Sequence, residues 1–327
     1  MSADTRHVPT KAEPRGKGAA AAPVVPNIMR QGTWTPWLYL LPALIVMTAF
    51  IVYPGITTFF LSLRDRTGAN WATNACQAGQ PCWGIFENYR YALTSSVMRT
   101  AFINNIIWIL VMVSSTVVLG LLIATLADRV RYEPLAKAII FLPMAISFVG
   151  AGVIWRFVYE YRPGESQIGL LNAIVTGLGG PPQAWLTIPT LNTLALNAVG
   201  IWMWTGFCMT ILAAALKGVP DEIIEAARVD GANEWRIFQS IMVPLILPTI
   251  TVVITTMVIN VLKIFDIVYV MTGGNYGTEV IANRMYTEQY QAYNTGRAAS
   301  IAVVLILVII PAMIINIRRF REQEAMR

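Results

Sequence analysis

Charge is scarce in this sequence. Asp, Glu, Lys and Arg together make up 13% of 327 residues, about half of the roughly 25% found in soluble domains. Histidine is nearly absent: there is one, His7. A single His cannot build H-E-x-x-H, and neither C-x-x-C nor G-x-S-x-G occurs, which argues against a zinc enzyme or a nucleophile-elbow hydrolase. No G-x-x-x-x-G-K-[ST] phosphate loop is present, so the usual cradle for ATP is missing. Three cysteines are too few for a disulfide framework. Cys76 and Cys82 share one hydrophilic segment and could pair if it faces an oxidising compartment. Cys208 lies within an apolar run and reads as a small hydrophobic residue.

What fills the sequence instead is apolar. The hydrophobic fraction is 56% and the mean hydropathy +0.56. These residues gather into six long runs with almost no charge, at about 37–63, 100–127, 138–158, 191–216, 245–265 and 298–317. About 20 such residues cross the hydrocarbon core of a bilayer. Because every backbone amide must find a partner there, runs of this kind read as helices. The expectation is an all-α membrane protein of six transmembrane helices over 34–320. A disordered tail precedes it (1–33, containing KAEPRGKGAAAAPVVP) and a short tail follows (321–327). The leading tail lacks the apolar centre and small-residue cleavage site of a secretory signal.

The few charges orient the spans. Fifteen of the 24 Lys and Arg fall in 1–36, 128–137, 217–244 and 318–327, and short cytoplasmic loops are the ones that collect such residues. Both termini are therefore expected on the cytoplasmic side of a multi-pass inner-membrane protein. The net charge of +6 is explained by contact with the membrane face and requires no nucleic acid.

The segment 217–244 breaks that pattern. From Leu216 to Pro248 the chain reads LKGVPDEIIEAARVDGANEWRIFQSIMVPLILP, with three cationic and five anionic side chains, a net of −2. Pro220 suits the first turn of a helix, and Asp221, Glu222 and Glu225 complement a helix N-terminus. Gly231 can take the left-handed conformation that ends a helix, and Asn233 is a good N-cap for a second. The spacing predicts a helix–turn–helix on the cytoplasmic surface, with an acidic balance that favours a protein partner over lipid headgroups.

These residues carry a resemblance. Glu225-Ala226-Ala227, three residues, Gly231, nine residues and Ile241-Met242-Val243-Pro244 resemble the EAA signature of the permease subunits of binding-protein-dependent ATP-binding-cassette importers, with Val243 where Leu is usual. FLPMAISFVGAGVIWRFVYE (141–160), ENYRYAL (87–93), KIFDIVYVMTGGNYGTEV (263–280) and NIRRFREQE (316–324) resemble segments of sugar-importer permeases, the last of the alpha-glucoside branch. The similarity covers about 35–324. The resemblance implies a type I importer fold. The coupling residues would be Glu225, Ala226, Ala227, Asp230 and Gly231, docking into an ATPase subunit. It also implies a second related permease, two copies of the ATPase that would hold ATP and Mg, an extracytoplasmic sugar-binding protein at outer loops 64–100, 160–190 and 268–297, and no cofactor on this chain.

A sugar path needs aromatic faces and hydrogen-bonding groups within the membrane. The residues offer Trp202, Trp204, Thr205 and Phe207, Ser147 and Phe148, and Asn260, with Lys263 and Asp266 near the outer end of the fifth run. By resemblance to the maltose-type permease, the substrate positions fall at Met144, Phe148, Gly200, Met203, Trp204, Phe207, Met257 and Val261, the fifth-span pair being less polar than in that relative. Trp202 and Trp204 can equally be packing aromatics, and Asn260 an interhelical hydrogen-bonding residue. Lys263 with Asp266, and Arg156 with Glu160, have the spacing of helical ion pairs. The rival reading is an ion-coupled secondary carrier or channel, which calls for intramembrane acids. The candidates, Asp266 and Glu160, both lie near a membrane edge. A membrane-embedded enzyme would need His or carboxylates clustered at one depth, and none is visible.

Overall fold

The computed structural model describes residues 34–69, 86–127, 131–164 and 166–325. The leading tail and the Cys76–Cys82 segment lie outside the described residues. Contacts divide the chain into two units, Met1–Pro54 and Gly55–Arg327. In the first, a helix over Thr35–Met47 passes into a π-helical turn at Thr48–Val52. Pro36 occupies the helix start, where its missing amide is harmless. This is the beginning of the apolar helix Pro36–Ser62 (α1).

The second unit holds the remaining spans. Glu87–Thr94 (α2) leads into the 32-residue helix Ser96–Ala127 (α3). Next come Glu133–Ala145 (α4) and Phe148–Val158 (α5), then Leu170–Gly177 (α6) and Leu191–Lys217 (α7). Asp221–Val229 (α8) precedes Glu234–Leu262 (α9). Asp266–Met271 (α10), Ile281–Tyr286 (α11, extended by a π turn to Gln291) and Thr295–Ala325 (α12) complete the chain. Among the described residues five helices are long and apolar enough to cross a membrane, or six spans if α4 and α5 together count as one.

The third apolar run is not one straight helix. α4 and α5 meet at 98°. Pro143 draws the end of α4 into a 3-10 turn, and Ile146 and Ser147 are extended, with ψ of 141° and 149°. The Ser147 hydroxyl then accepts from the Gly150 amide at 3.0 Å and starts α5. A proline and a capping hydroxyl thus interrupt a run whose hydropathy is continuous. Both proposed helical ion pairs are also absent. α9 ends at Leu262, so Lys263 and Asp266 stand on either side of a helix break, and neither makes an ion pair among the described residues. Glu160 pairs with Arg162 at 3.0 Å rather than with Arg156, because α5 has already ended at Val158.

Small residues set the helix crossings. A Cβ on Gly120 of α3 would lie 2.7 Å from the Cys208 Cβ and 2.9 Å from the Met209 nitrogen of α7. One on Gly206 would lie 2.6 Å from the Ile140 carbonyl oxygen. Close backbone approach of this kind replaces the hydrophobic effect as the glue between helices in lipid. Around these crossings Trp108, Met112, Leu196, Met209 and Leu212 are fully enclosed. At one end of α7, asparagines fasten the glycine-rich loop. Asn104 donates to the Gly277 and Glu279 carbonyls at 2.7 and 2.8 Å, Asn105 accepts from the Ile281 amide at 3.0 Å, and Asn192 donates to the Tyr276 carbonyl at 2.8 Å. Gly120→Leu should force α3 and α7 apart, a change costing about 1–3 kcal/mol of packing. Detergent-solubilised protein should show a lowered thermal midpoint. An unchanged midpoint would contradict the close crossing.

Candidate functional site

Two regions matter, one at each end of α9. The first is the turn between α8 and α9. Pro220 is the N-cap of α8, and Asp221 and Glu222 occupy its first turn. At the other end Gly231 takes φ +81°. Its amide donates to the Arg228 carbonyl and the Ala232 amide to the Ala227 carbonyl, each at 3.0 Å. This is a Schellman closure, which a residue with a Cβ adopts only with strain. Asn233 then caps α9, accepting from the Arg236 amide at 2.8 Å. Arg228 and Glu234 bridge the turn at 3.0 Å, both half-exposed, a pair worth little on its own.

The signature residues divide by face. Ala227 is buried, while Glu225, Ala226, Asp230 and Gly231 are exposed. Exposed beside them are Ile223, Val229 and Trp235, with Val229 88% accessible. Beneath the turn lies a cavity of ≈ 140 Å³, reached by Thr125, Leu216, Ile224 and Phe238. The second helix of the turn is the fifth span itself, since α9 runs unbroken from Glu234 to Leu262 with a π segment at Phe238–Met242. The turn and the far end of the fifth span are therefore joined by one helix of 29 residues.

That helix ends at the second region, a cavity of ≈ 110 Å³ lined by Met112, Phe148, Trp204, Asn260, Lys263, Ile264, Phe265 and Asp266. Phe148 and Trp204 stack at 6.0 Å and 27°, and Phe207 stands edge-on to Trp204 at 5.5 Å. The Asn260 amide donates to the Thr256 carbonyl at 3.0 Å. The cavity thus combines aromatic faces with an amide, an ammonium and a carboxylate. Of the expected path residues, Phe148, Trp204 and Asn260 meet here, and Phe207 backs them. Met144 is half-buried in the 3-10 turn before the break, and Ser147 serves as the cap of α5. Gly200, Met203, Met257 and Val261 face the core: a Gly200 Cβ would lie 2.8 Å from the Met112 sulfur, and the other three are at most 3% exposed. Trp202 packs edge-on against Trp155 at 5.6 Å. Lys263 and Asp266, which the sequence offers beside Asn260 at the outer end of the fifth run, also line the cavity. Phe265 lines it too and escaped the sequence reading; its only signal was its place between those two charges.

Comparison with known proteins decides the family. Residues 101–318 match the family model described as "Binding-protein-dependent transport system inner membrane component". The chain belongs to that family. Among its relatives are an osmoprotective compounds uptake permease, GgtC, from Synechocystis sp. (54% identical, covering 89% of this chain and all of the relative). Another is the alpha-glucoside transport system permease AglF from Rhizobium meliloti (46% identical, 94% and 89%). The fold matches a chain of a bacterial alginate importer of the ATP-binding-cassette class with TM-score 0.70 at 23% identity, covering 87% of this chain and 96% of that one. This protein is thus a multi-pass inner-membrane permease component of an ATP-binding-cassette importer, with the type I transmembrane architecture. Partnership with an ATPase and with a substrate-binding protein comes with membership. The ion-coupled carrier is set aside.

One further contact ties the coupling end together. Glu133, at the start of α4, accepts from Lys137 at 2.7 Å and from Lys217, the last residue of α7, at 2.5 Å. Those two hydrogen bonds hold its carboxyl down to about 2, from an ordinary value of 4.5. A depressed carboxyl stabilises the fold above its unfolded value and loses that contribution as pH falls through the folded one. The α4–α7 link should therefore weaken as pH falls from 4.5 toward 2. In Glu133→Gln, thermal unfolding should lose part of its dependence on pH across that window. A variant whose acid profile matches the parent's would contradict the link.

Proposed function

We propose that this chain is one of two related permeases in an importer for a small neutral polyhydroxy compound, an alpha-glucoside or similar disaccharide. The aromatic cavity at the end of α9 supports this reading: Phe148 and Trp204 offer flat faces to a sugar ring, while Asn260, Lys263 and Asp266 offer hydrogen bonds to its hydroxyls. The names of the AglF and GgtC relatives point the same way, to alpha-glucosides and to osmoprotective compounds. The expected path residues fall into two roles. Phe148, Trp204 and Asn260 face the substrate, with Phe207 packed behind Trp204. Met144, Ser147, Gly200, Met203, Met257 and Val261 shape the walls behind them.

ATP is hydrolysed on two copies of a separate ATPase, which also hold the Mg, and no cofactor binds this chain. The exposed side of the α8–α9 turn, with Glu225, Ala226, Asp230 and Gly231, seats in the ATPase. Both termini then lie on the cytoplasmic side, and outer loops 64–100, 160–190 and 268–297 meet the sugar-binding protein. Closure of the ATPases shifts the turn, α9 carries the shift, and the cavity at its far end changes access. A coupling device of this kind requires a partner that engages the turn differently in its two states.

Gly231→Pro, which fixes φ near −65° where +81° is needed, and Glu225→Lys should each abolish uptake of labelled disaccharide in intact cells. Both variants should still reach the membrane. Uptake at the parental rate would remove the turn from the mechanism. In the parent, a competition panel of alpha-glucosides and other osmoprotectants against the labelled substrate identifies the class. Competition by alpha-glucosides is expected, and inhibition by none of them would overturn the substrate reading.

A further inference from the structure

A run of aromatic rings leads away from the central cavity. Phe265 lines that cavity. Its ring lies 5.1 Å from Tyr269, nearly parallel at 24°, and 5.0 Å from Tyr286. Tyr269 and Tyr286 approach to 4.9 Å, and Tyr286 and Tyr290 also to 4.9 Å. The spacing follows from the helices: Phe265 and Tyr269 are one turn apart at the start of α10, and Tyr286 and Tyr290 one turn apart on α11 and its π extension. The two ends of the run differ in exposure: Phe265 is half-buried, as is Tyr286, and Tyr290 is 62% exposed.

The far end of the run opens into a second cavity, ≈ 280 Å³, whose walls include Tyr286, Gln289, Tyr290, Thr58 and Thr295. That volume is just below the about 300–1,000 Å³ typical of ligand pockets, enough for one sugar ring. It sets two tyrosines, an amide and two hydroxyls among the aliphatic side chains of Leu61, Met285 and three alanines. Its place in the fold is also defined. The loop between α10 and α11 is fastened by Asn192 near the start of α7, whereas the coupling turn follows the end of α7. The two therefore lie at opposite ends of a 27-residue helix, about 40 Å apart at 1.5 Å per residue.

We propose that the cavity at Tyr286 and Tyr290 is an entry subsite for a pyranose ring, and that Phe265, Tyr269, Tyr286 and Tyr290 form a stacking track from it to the central cavity. The proposal rests on the sugar-importer reading above. The C–H face of a pyranose carries partial positive charge and meets the negative face of an aromatic ring. Rings about 5 Å apart let a sugar engage the next face before it leaves the last, so it is not fully rehydrated between the binding protein and the cavity. Gln289 and the two threonine hydroxyls hold hydroxyl groups that would otherwise lose their water.

The test is uptake kinetics in intact cells carrying the whole importer, with labelled maltose or sucrose, whichever the parent transports. Tyr290→Leu removes an exposed ring and should raise the half-saturation concentration about tenfold, as expected for one lost stacking contact. Tyr290→Phe keeps the ring and should recover most of the affinity. Tyr286→Leu should act in the same direction. Unchanged half-saturation in both Leu variants would overturn the proposal and leave the tyrosines as an interfacial aromatic belt. So would a fall in maximal rate alone, or the same defect in Tyr290→Phe. If the parent takes up neither sugar and alpha-glucosides do not compete for its substrate, the sugar-importer reading itself fails, and the track with it.

Discussion

Hydrocarbon offers no hydrogen-bond partner to a peptide group, and the fold is organised by where the backbone is nevertheless allowed to leave a helix. Each departure in the membrane region is closed by a local device. At the break after α4, the Ser147 hydroxyl takes the Gly150 amide. At the end of α9, the Lys263 and Ile264 amides turn back onto the Asn260 and Val261 carbonyls at 3.2 and 3.0 Å. The central cavity lies between these two breaks, with Phe148 from one side and Lys263 to Asp266 from the other. A straight bundle of six helices would have filled that space with side chains. The interruptions create it, and they bring charged and amide groups to a depth where charge is otherwise costly.

The same constraint joins the surface turn to that cavity. α9, capped by Asn233, runs from Glu234 to Leu262 as one apolar helix, with a π segment at Phe238–Met242 and Pro244 and Pro248 within it. The coupling turn and the cavity wall are thereby two ends of one rod. The Schellman closure at Gly231 fixes the angle at which α8 meets that rod. Ala227 packs inward, and Glu225 and Ala226 are left on the outer face for a partner. The Glu133 contact with Lys217 joins α4 to the foot of α7 on the same side, so the helix that bears Trp204 and the one that leads into the break before Phe148 share an anchor near the coupling turn.

Much of this was legible in the amino-acid order. Charge-free runs mark the apolar helices because burial in lipid demands them. The turn at Gly231 and the cap at Asn233 follow from residue chemistry alone. The bend within 138–158 was not legible. Hydropathy is blind to a serine cap, and Pro143 by itself is compatible with a kinked but continuous span. The candidate site was only half legible for a related reason. Resemblance to the maltose-type permease placed Gly200, Met203, Met257 and Val261 near the path, but which face of α7 turns inward is set by the close crossings at Gly120 and Gly206. Those crossings turn Met203 into the core and leave Trp204 on the cavity, while on α9 Met257 is buried and Asn260 reaches the cavity. The tyrosine track depends on α10 and α11 meeting across the glycine-rich loop, a contact between residues about 20 apart that no single helix periodicity contains.

The central claim is that the α8–α9 turn engages an ATPase and that α9 links it to a substrate cavity shared with a second permease. Isolation of the chain from native membranes in mild detergent, with identification of what accompanies it, tests this most directly. The account predicts a phosphate-loop ATPase and a second permease bearing the same Glu-Ala-Ala turn. Recovery of the chain alone or as a homo-oligomer, under conditions that keep a known importer intact, would contradict it.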